Sequence, residues 1–261
     1  MNSLKPLQNC SVLITRPLHQ AQSLNEMISS AGGSVILFPT IEIIPAADLE
    51  PLHTILQQLK QWNIAIFVSA NAVHAVMKYS PQQQFKTLEI VAIGPGTAKI
   101  LRDYGITTTQ LPNTFNSEGL LDLPLLQSVW QKKIILFSGA EGRSFLLDNL
   151  LARGAKVIKI DTYQRRKPQS RFQQPLATHI IVSTSRESLQ NLYEMTDSAL
   201  LPWLLQTPLL VISPMMAEHA KQLGFQDINL AENASDTAVF KALLTWYARH
   251  DHFPRKEKYN E

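Results

Sequence analysis

Cysteine is almost absent: Cys10 stands alone in 261 residues, which excludes an intrachain disulfide and any thiolate metal cluster. Glycine (10) and proline (15) are few and scattered, so no low-complexity linker divides the chain. No apolar run approaches the ~20 residues that span a bilayer. The N-terminus shows no basic region followed by an apolar stretch, so no signal peptide is expected, and a cytoplasmic location is. Charge is sparse too, 17% of residues with a formal net charge of +3, which suits an anionic small molecule without calling for nucleic acid. His19, His53, His74, His179, His219, His250 and His252 show no ligand spacing, so no metal is expected. Gly94-x-Gly96 lacks the third glycine of a dinucleotide fingerprint, because Lys99 stands there. No P-loop, nucleophile elbow or acidic cluster at strand ends occurs.

What the chain does have is a steady alternation of short β-branched runs and amphipathic stretches. Val12-Leu-Ile-Thr15, Val35 to Phe38, Ile64 to Val68, Ile90 to Ile93, Thr107 to Leu111, Lys133 to Phe137 and Lys156 to Ile160 read as strands, as do Ile180 to Val182, Leu209 to Ile212 and Asp227 to Leu230. Between them lie helices such as Ala21 to Ser30, with apolar residues at helical spacing and Gly32-Gly33 at its end. This is the pattern of an α/β protein with parallel, flavodoxin-like sheets.

The pattern also repeats. Val12-Leu-Ile-Thr-Arg aligns with Ile134-Ile-Leu-Phe-Ser, Phe67-Val-Ser-Ala-Asn71 with Val182-Ser-Thr-Ser185, and Val91-Ala-Ile-Gly-Pro with Val211-Ile-Ser-Pro, each offset by roughly 120 residues. Two passages, Ser34 to Ile43 and Lys156 to Lys167, have the same design, and both follow a glycine-terminated helix. They read as the two places where the chain crosses between lobes. One lobe then comprises 1–39 and 168–249, the other 45–160, with linkers at 40–44 and 161–167 and a flexible tail at 250–261. A split near residue 125 is the simpler alternative, but it leaves the likeness of the two passages unexplained.

Parallel sheets bind ligands at the carboxyl ends of their strands. There stand Thr15-Arg16, Ser69-Ala-Asn71, Gly94-Pro-Gly-Thr97, Asn116-Ser117, Ser138-Gly139 with Arg143, Ser183-Thr-Ser185 and Ser213. Each hydroxyl or glycine is by itself more often a helix cap than a ligand contact. Seven such loops together point to a polyanion held by backbone N–H groups. Arg16, Arg143, Arg165, Arg166, Lys167 and Arg186 lie near them, although a solvated surface charge is the commoner fate of each.

Several segments, in their order and spacing, resemble the uroporphyrinogen-III synthases of tetrapyrrole biosynthesis: Leu13-Ile-Thr-Arg-Pro17, Phe38-Pro-Thr-Ile-Glu42, Phe67-Val-Ser-Ala-Asn-Ala-Val73, Ala92-Ile-Gly-Pro-Gly-Thr-Ala98, Ser117-Glu-Gly-Leu120, Arg153-Gly-Ala155 and Tyr163-Gln-Arg165. The resemblance reaches to about residue 245. It implies two flavodoxin-like lobes joined by a two-stranded linker, with the active site in the cleft between them. It implies a monomeric lyase that needs no cofactor and touches neither nucleic acid nor membrane, with room for a transient contact with the preceding pathway enzyme. The implied substrate is hydroxymethylbilane, which loses its terminal hydroxyl to give an azafulvene. Ring D attacks through its substituted carbon, and a spiro intermediate fragments and rejoins inverted. The resemblance gives Tyr163 the role of assisting the departing hydroxyl. It places Thr97 at the cleft, with Thr15, Arg16, Ser69, Ser138 and Ser183 at cleft-facing positions; Gly94 and Arg143, from their place at the strand ends, join them as expected substrate contacts. Where the family often repeats Gly-Pro-Thr-Thr, this chain has Ser213-Pro-Met-Met216, leaving Ser213 and backbone donors to serve. The alternative is a non-catalytic two-lobe protein that binds a tetrapyrrole or another anion for regulation.

Overall fold

Strand β1 (Ser11–Ile14) shows why this sequence folds into layers: Val12 and Ile14 join one hydrophobic cluster, and Leu13 joins another. Side chains alternate across a strand, so a run apolar at every position buries both faces of its sheet. A computed structural model of the chain describes residues 5–80, 82–142, 144–172 and 177–250. By its contacts the chain forms two units, residues 1–42 with 167–261, and 43–166.

In the first unit β1 is joined by β2 (Ser34–Leu37). The second unit supplies β3 (Glu42–Pro45, entered at Ile43), β4 (Ile64–Phe67), β5 (Glu89–Ala92), β6 (Lys133–Gly139) and β7 (Lys156–Arg166). The chain then returns with β8 (Ile180–Val182), β9 (Leu209–Val211) and β10 (Ile228–Leu230). The first sheet has the order β10-β9-β8-β1-β2, and its pairs are parallel. Numbered along its own chain, this is a doubly wound order, 2-1-3-4-5. Its two faces are covered by the helices Leu18–Ser30 and Asp236–His250 on one side and Arg186–Met195, Leu201–Gln206 and Pro214–Leu223 on the other. Each helix presents a spaced apolar face, as Ala21, Leu24 and Ile28 do in the first. Pro214–Leu223 ends at Gly224, whose φ of 100° is the left-handed conformation that glycine adopts at no cost.

The second sheet has the order β3-β7-β6-β4-β5. Read from β5 to β7 it repeats β9-β8-β1-β2, with the chain cut at a different place. Its layers obey the same alternation: Ala65, Phe67, Ile135 and Phe137 enter one cluster, and Ile64, Ile66, Ile134 and Leu136 the other. Phe67 and Phe137 stack at 4.9 Å between ring centroids.

Two details differ from the sequence reading. The segment 107–111 is no strand. It touches β5 through a single bridge, Val91 to Gln110, in the place that β10 occupies beside β9 in the first sheet. Thr109 accounts for this: its backbone N–H donates to Ile90 at 2.7 Å while its own hydroxyl accepts the Ile90 N–H at 3.0 Å, so a side chain replaces the next rung of the ladder. Residues 161–166 do not form a separate linker either. β7 runs unbroken to Arg166 and stays paired with β6 as far as Tyr163, so they belong to the second unit. Of the expected tail at 250–261, His250 ends the helix Asp236–His250, while 251–261 and the Arg143 position lie outside the described residues. No helix among the described residues is long and apolar enough to cross a membrane.

Candidate functional site

In each sheet the strand order reverses at one point, and a crevice opens there beyond the carboxyl ends of the strands. In the first sheet this point lies between β1 and β8; in the second, between β6 and β4. The expected site residues Thr15, Arg16 and Ser183 directly follow these strands in one unit; in the other Ser69 stands two residues past β4 and Ser138 is the last residue but one of β6.

In the second unit the geometry centres on Tyr163, on β7. β6 and β7 slip register between Ser138 and Gly139, so that Gly139 pairs with Tyr163. The slip is fixed by Thr162, whose hydroxyl donates to the Ser138 carbonyl at 2.9 Å, and by the Ala140 N–H, which donates to the Tyr163 carbonyl at 2.9 Å. The Tyr163 ring lies against Gly139 so closely that a Cβ there would sit 2.8 Å from Cζ. Only 6% of Tyr163 is exposed, and its ring packs into the cluster that holds Phe67 and Phe137. Its hydroxyl accepts a hydrogen bond from Ser69 Oγ at 3.1 Å. Ser69 is also the N-cap of the helix Ala70–Met77, accepting the Ala72 N–H at 3.1 Å. Ser138 Oγ, near the end of β6, is buried with no hydrogen-bond partner among the described residues.

Gly94 is the N-cap of Pro95–Asp103 and has no side chain with which to cap it. The first-turn N–H groups of Gly96 and Thr97 therefore point out of the helix end, where the dipole favours an anion. A Cβ on Gly96 would meet nothing within 4 Å, so the approach is open. Phe115, which the sequence reading passed over, leaves 59% of its surface exposed and rests on Gly94. Its sequence neighbour Asn116 caps the next helix by accepting the Gly119 N–H at 2.7 Å. An exposed aromatic in a loop carries no periodic signal, which is why pattern reading misses it.

In the first unit the hydroxyls turn inward. Thr15 has no exposed surface, and its Oγ1 bonds the Val182 carbonyl at 3.1 Å and Ser188 Oγ at 2.7 Å. Thr40 completes this knot, 2.8 Å from the same Ser188 hydroxyl. Arg16, expected as a substrate contact, is 8% exposed and engaged by the protein itself. Its Nε donates to Thr184 at 3.1 Å, one terminal nitrogen donates to the Ala234 carbonyl at 2.8 Å, and the other pairs with Asp236. Ser183 is buried, and the capping of helix Arg186–Met195 falls instead to Ser185, which accepts the Ser188 N–H at 3.0 Å. Ser213 caps Pro214–Leu223 by accepting the Met216 N–H at 3.3 Å, while Met215 is 72% exposed. Lys167 meets Glu194 at 2.5 Å; that bond, with another from Gln190, holds the Glu194 carboxyl below its ordinary range. The arrangement therefore offers two kinds of chemistry: helix-end N–H groups suited to carboxylates, and one phenol held in a fixed position.

A family model described as "Uroporphyrinogen-III synthase HemD" matches residues 22–241. A uroporphyrinogen-III synthase from Salmonella typhimurium is 33% identical over 244 residues, covering 89% of this chain and 99% of that protein. One from Escherichia coli is 33% identical over 245 residues with the same coverage. Among solved structures, a mutant uroporphyrinogen III synthase from Thermus thermophilus aligns with a TM-score of 0.59 at 15% identity, over 94% of this chain and 100% of that one. A uroporphyrinogen-III synthetase from Helicobacter pylori aligns with a TM-score of 0.58 at 17% identity, over 91% and 99%. These two structures share the α/β fold of this chain.

Proposed function

The chain belongs to the uroporphyrinogen-III synthase family and is a lyase of tetrapyrrole biosynthesis, and from that premise we propose how its residues carry the reaction. The substrate is linear hydroxymethylbilane, four pyrroles bearing carboxylates on every ring. The C–O bond to the terminal hydroxyl breaks, the ring's own N–H gives up its proton, the oxygen leaves as water, and a neutral azafulvene remains. Ring D attacks it through its substituted carbon, and the spiro intermediate opens and closes again with that ring inverted.

Tyr163 assists the bond cleavage by donating a hydrogen bond from its phenol to the departing oxygen. The observation that supports this assignment is the phenol itself, which accepts from Ser69 and has no acceptor of its own among the described residues. A phenol is too weak an acid to transfer a full proton at neutral pH, but a hydrogen bond suffices for a hydroxyl beside an electron-rich pyrrole. The substrate carboxylates are met by helix-end N–H groups, above all those of Gly96 and Thr97, with the Ser138 hydroxyl as a further donor. Thr15, Ser183 and Arg16 act by holding their loops in shape, because their polar atoms already face protein partners. Ser213 offers the backbone of its loop beside Met215. On this reading the two units are flavodoxin-like lobes joined at β3 and β7 that serve one substrate, and X-ray scattering profiles identical with and without product would count against it.

The direct test is to supply the purified protein with enzymatically generated hydroxymethylbilane and separate the product isomers. The type III isomer is expected. Only the spontaneous type I isomer would favour a binding protein instead.

A further inference from the structure

A serine hydroxyl has one proton to give and two lone pairs with which to accept. Ser69 uses both capacities in a fixed direction. Its backbone is extended (φ −165°, ψ 157°), as an N-cap requires, and its oxygen accepts the Ala72 N–H at 3.1 Å. Its proton is then free to point only elsewhere, and 3.1 Å away lies the Tyr163 oxygen. The Tyr163 ring cannot turn aside, because Gly139 supports it on one side and the core around Phe67 and Phe137 encloses it. Tyr163 Oη thus accepts from Ser69 and keeps its own proton for another acceptor.

We propose that Ser69 is the positioning residue of the reaction: by donating to Tyr163 it directs the phenol's proton away from the protein and toward the leaving hydroxyl. This inference rests on the role given to Tyr163 above. No bond to Ser69 forms or breaks. If the hydrogen bond ran the other way, Tyr163 would spend its proton on Ser69 and present only lone pairs to an oxygen that needs a donor. The Ala72 amide occupies one of the two Ser69 lone pairs and anchors the oxygen at the helix end, and from there its proton goes to Tyr163 Oη. The same residue therefore starts a helix and orients a catalytic group.

Ser69→Asp separates the two duties. Aspartate is as good an N-cap as serine, but an ionised carboxylate has no proton to give and would draw the Tyr163 proton to itself. The expected result is an unchanged melting temperature, a kcat lowered about 10- to 100-fold and a KM within about threefold of wild type. Ser69→Thr keeps both cap and donor and should restore kcat. Ser69→Ala should lose both, with a lowered melting temperature as well. The Raman Fermi doublet of Tyr163, taken as the difference from Tyr163→Phe, reports whether a phenol donates or accepts. It should read acceptor in the wild type and donor in Ser69→Asp. A Ser69→Asp protein with wild-type kcat and doublet, beside an impaired Tyr163→Phe, would overturn the positioning role and leave the Tyr163 assignment standing. A change confined to KM would do the same, marking Ser69 as a substrate contact. Full turnover in Tyr163→Phe would remove both readings together.

Discussion

Adding one methyl group at Gly139 tests how closely the chemistry depends on the place of Tyr163. A Cβ at residue 139 would lie 2.8 Å from Tyr163 Cζ, 3.0 Å from Cε2 and 3.1 Å from the hydroxyl oxygen. Carbon atoms settle at about 3.5–4.0 Å, so the ring has to retreat by roughly 0.5–1 Å. The backbones cannot share the displacement, because Gly139 and Tyr163 are paired across β6 and β7 and the Ala140 N–H is bonded to the Tyr163 carbonyl at 2.9 Å. Gly139 does not adopt a left-handed conformation, so the substitution carries no backbone strain and acts through contact alone. Crowding one carbon into a packed core costs about 1–3 kcal/mol, and moving a catalytic group by about 1 Å lowers turnover on the order of 100-fold. Gly139→Ala should therefore show both losses, measured by isomer-resolved turnover of hydroxymethylbilane and by a denaturation midpoint. In a Tyr163→Phe background the same change should still cost stability, since Cζ and Cε2 remain, but should cost no further turnover. A Gly139→Ala enzyme with wild-type turnover and stability would refute the reasoning.

Tyr163→Phe itself should lower turnover about 10- to 1000-fold while the product stays type III, since ring orientation comes from the loops; wild-type turnover at an unchanged melting temperature would make the phenol a spectator. Arg16→Ala leaves Asp236 and the Ala234 carbonyl without their partner and should cost on the order of 3 kcal/mol in urea unfolding, whereas a surface arginine would cost almost nothing. Cys10 has no exposed surface, and burial pushes its thiol from 9.0 up to about 12. The native thiol should therefore resist disulfide reagents at pH 8 and react only on unfolding. Because its folded value is raised, the stability it contributes is intact below pH 9.0 and is lost as pH climbs towards about 12. Cys10→Ala should flatten that part of the alkaline stability profile, and an unflattened profile would place the loss in other groups.

Much of this architecture was legible because parallel strands buried on both faces are written as continuous apolar runs. Val12 to Ile14, Ile64 to Phe67 and Ile180 to Val182 announce themselves, and their repetition gave the interleaved order of the chain. Thr107 to Leu111 misled because β-branched residues mark strands only where a neighbouring backbone completes the ladder, and there the Thr109 side chain intervened. The burial of Arg16 was not legible, since Asp236 and Ala234 lie more than two hundred residues away in sequence. The approach of Tyr163 to Gly139 depends on a slip of register, which no single-strand pattern records. The hydroxyls could be read as caps or as contacts. The structure makes Ser69 and Ser213 caps, turns Thr15 inward and leaves Ser138 without a partner among the described residues.

The interrupted first unit also sets an order of events on the ribosome. β1 and β2 are made first, yet β1 finds its other neighbour only when Ile180 to Val182 appear. At ~5–20 residues per second, the intervening stretch takes on the order of ten seconds to make. The second unit, contiguous from 43 to 166, can complete its sheet within that interval. Val12, Leu13 and Ile14 meanwhile present an open, wholly apolar edge, the kind of surface that pairs with a neighbouring nascent chain. Newly made protein is thus at greatest risk of aggregation through its first strand, and a pause in translation anywhere before residue 180 lengthens that exposure, even though the finished fold closes the edge completely.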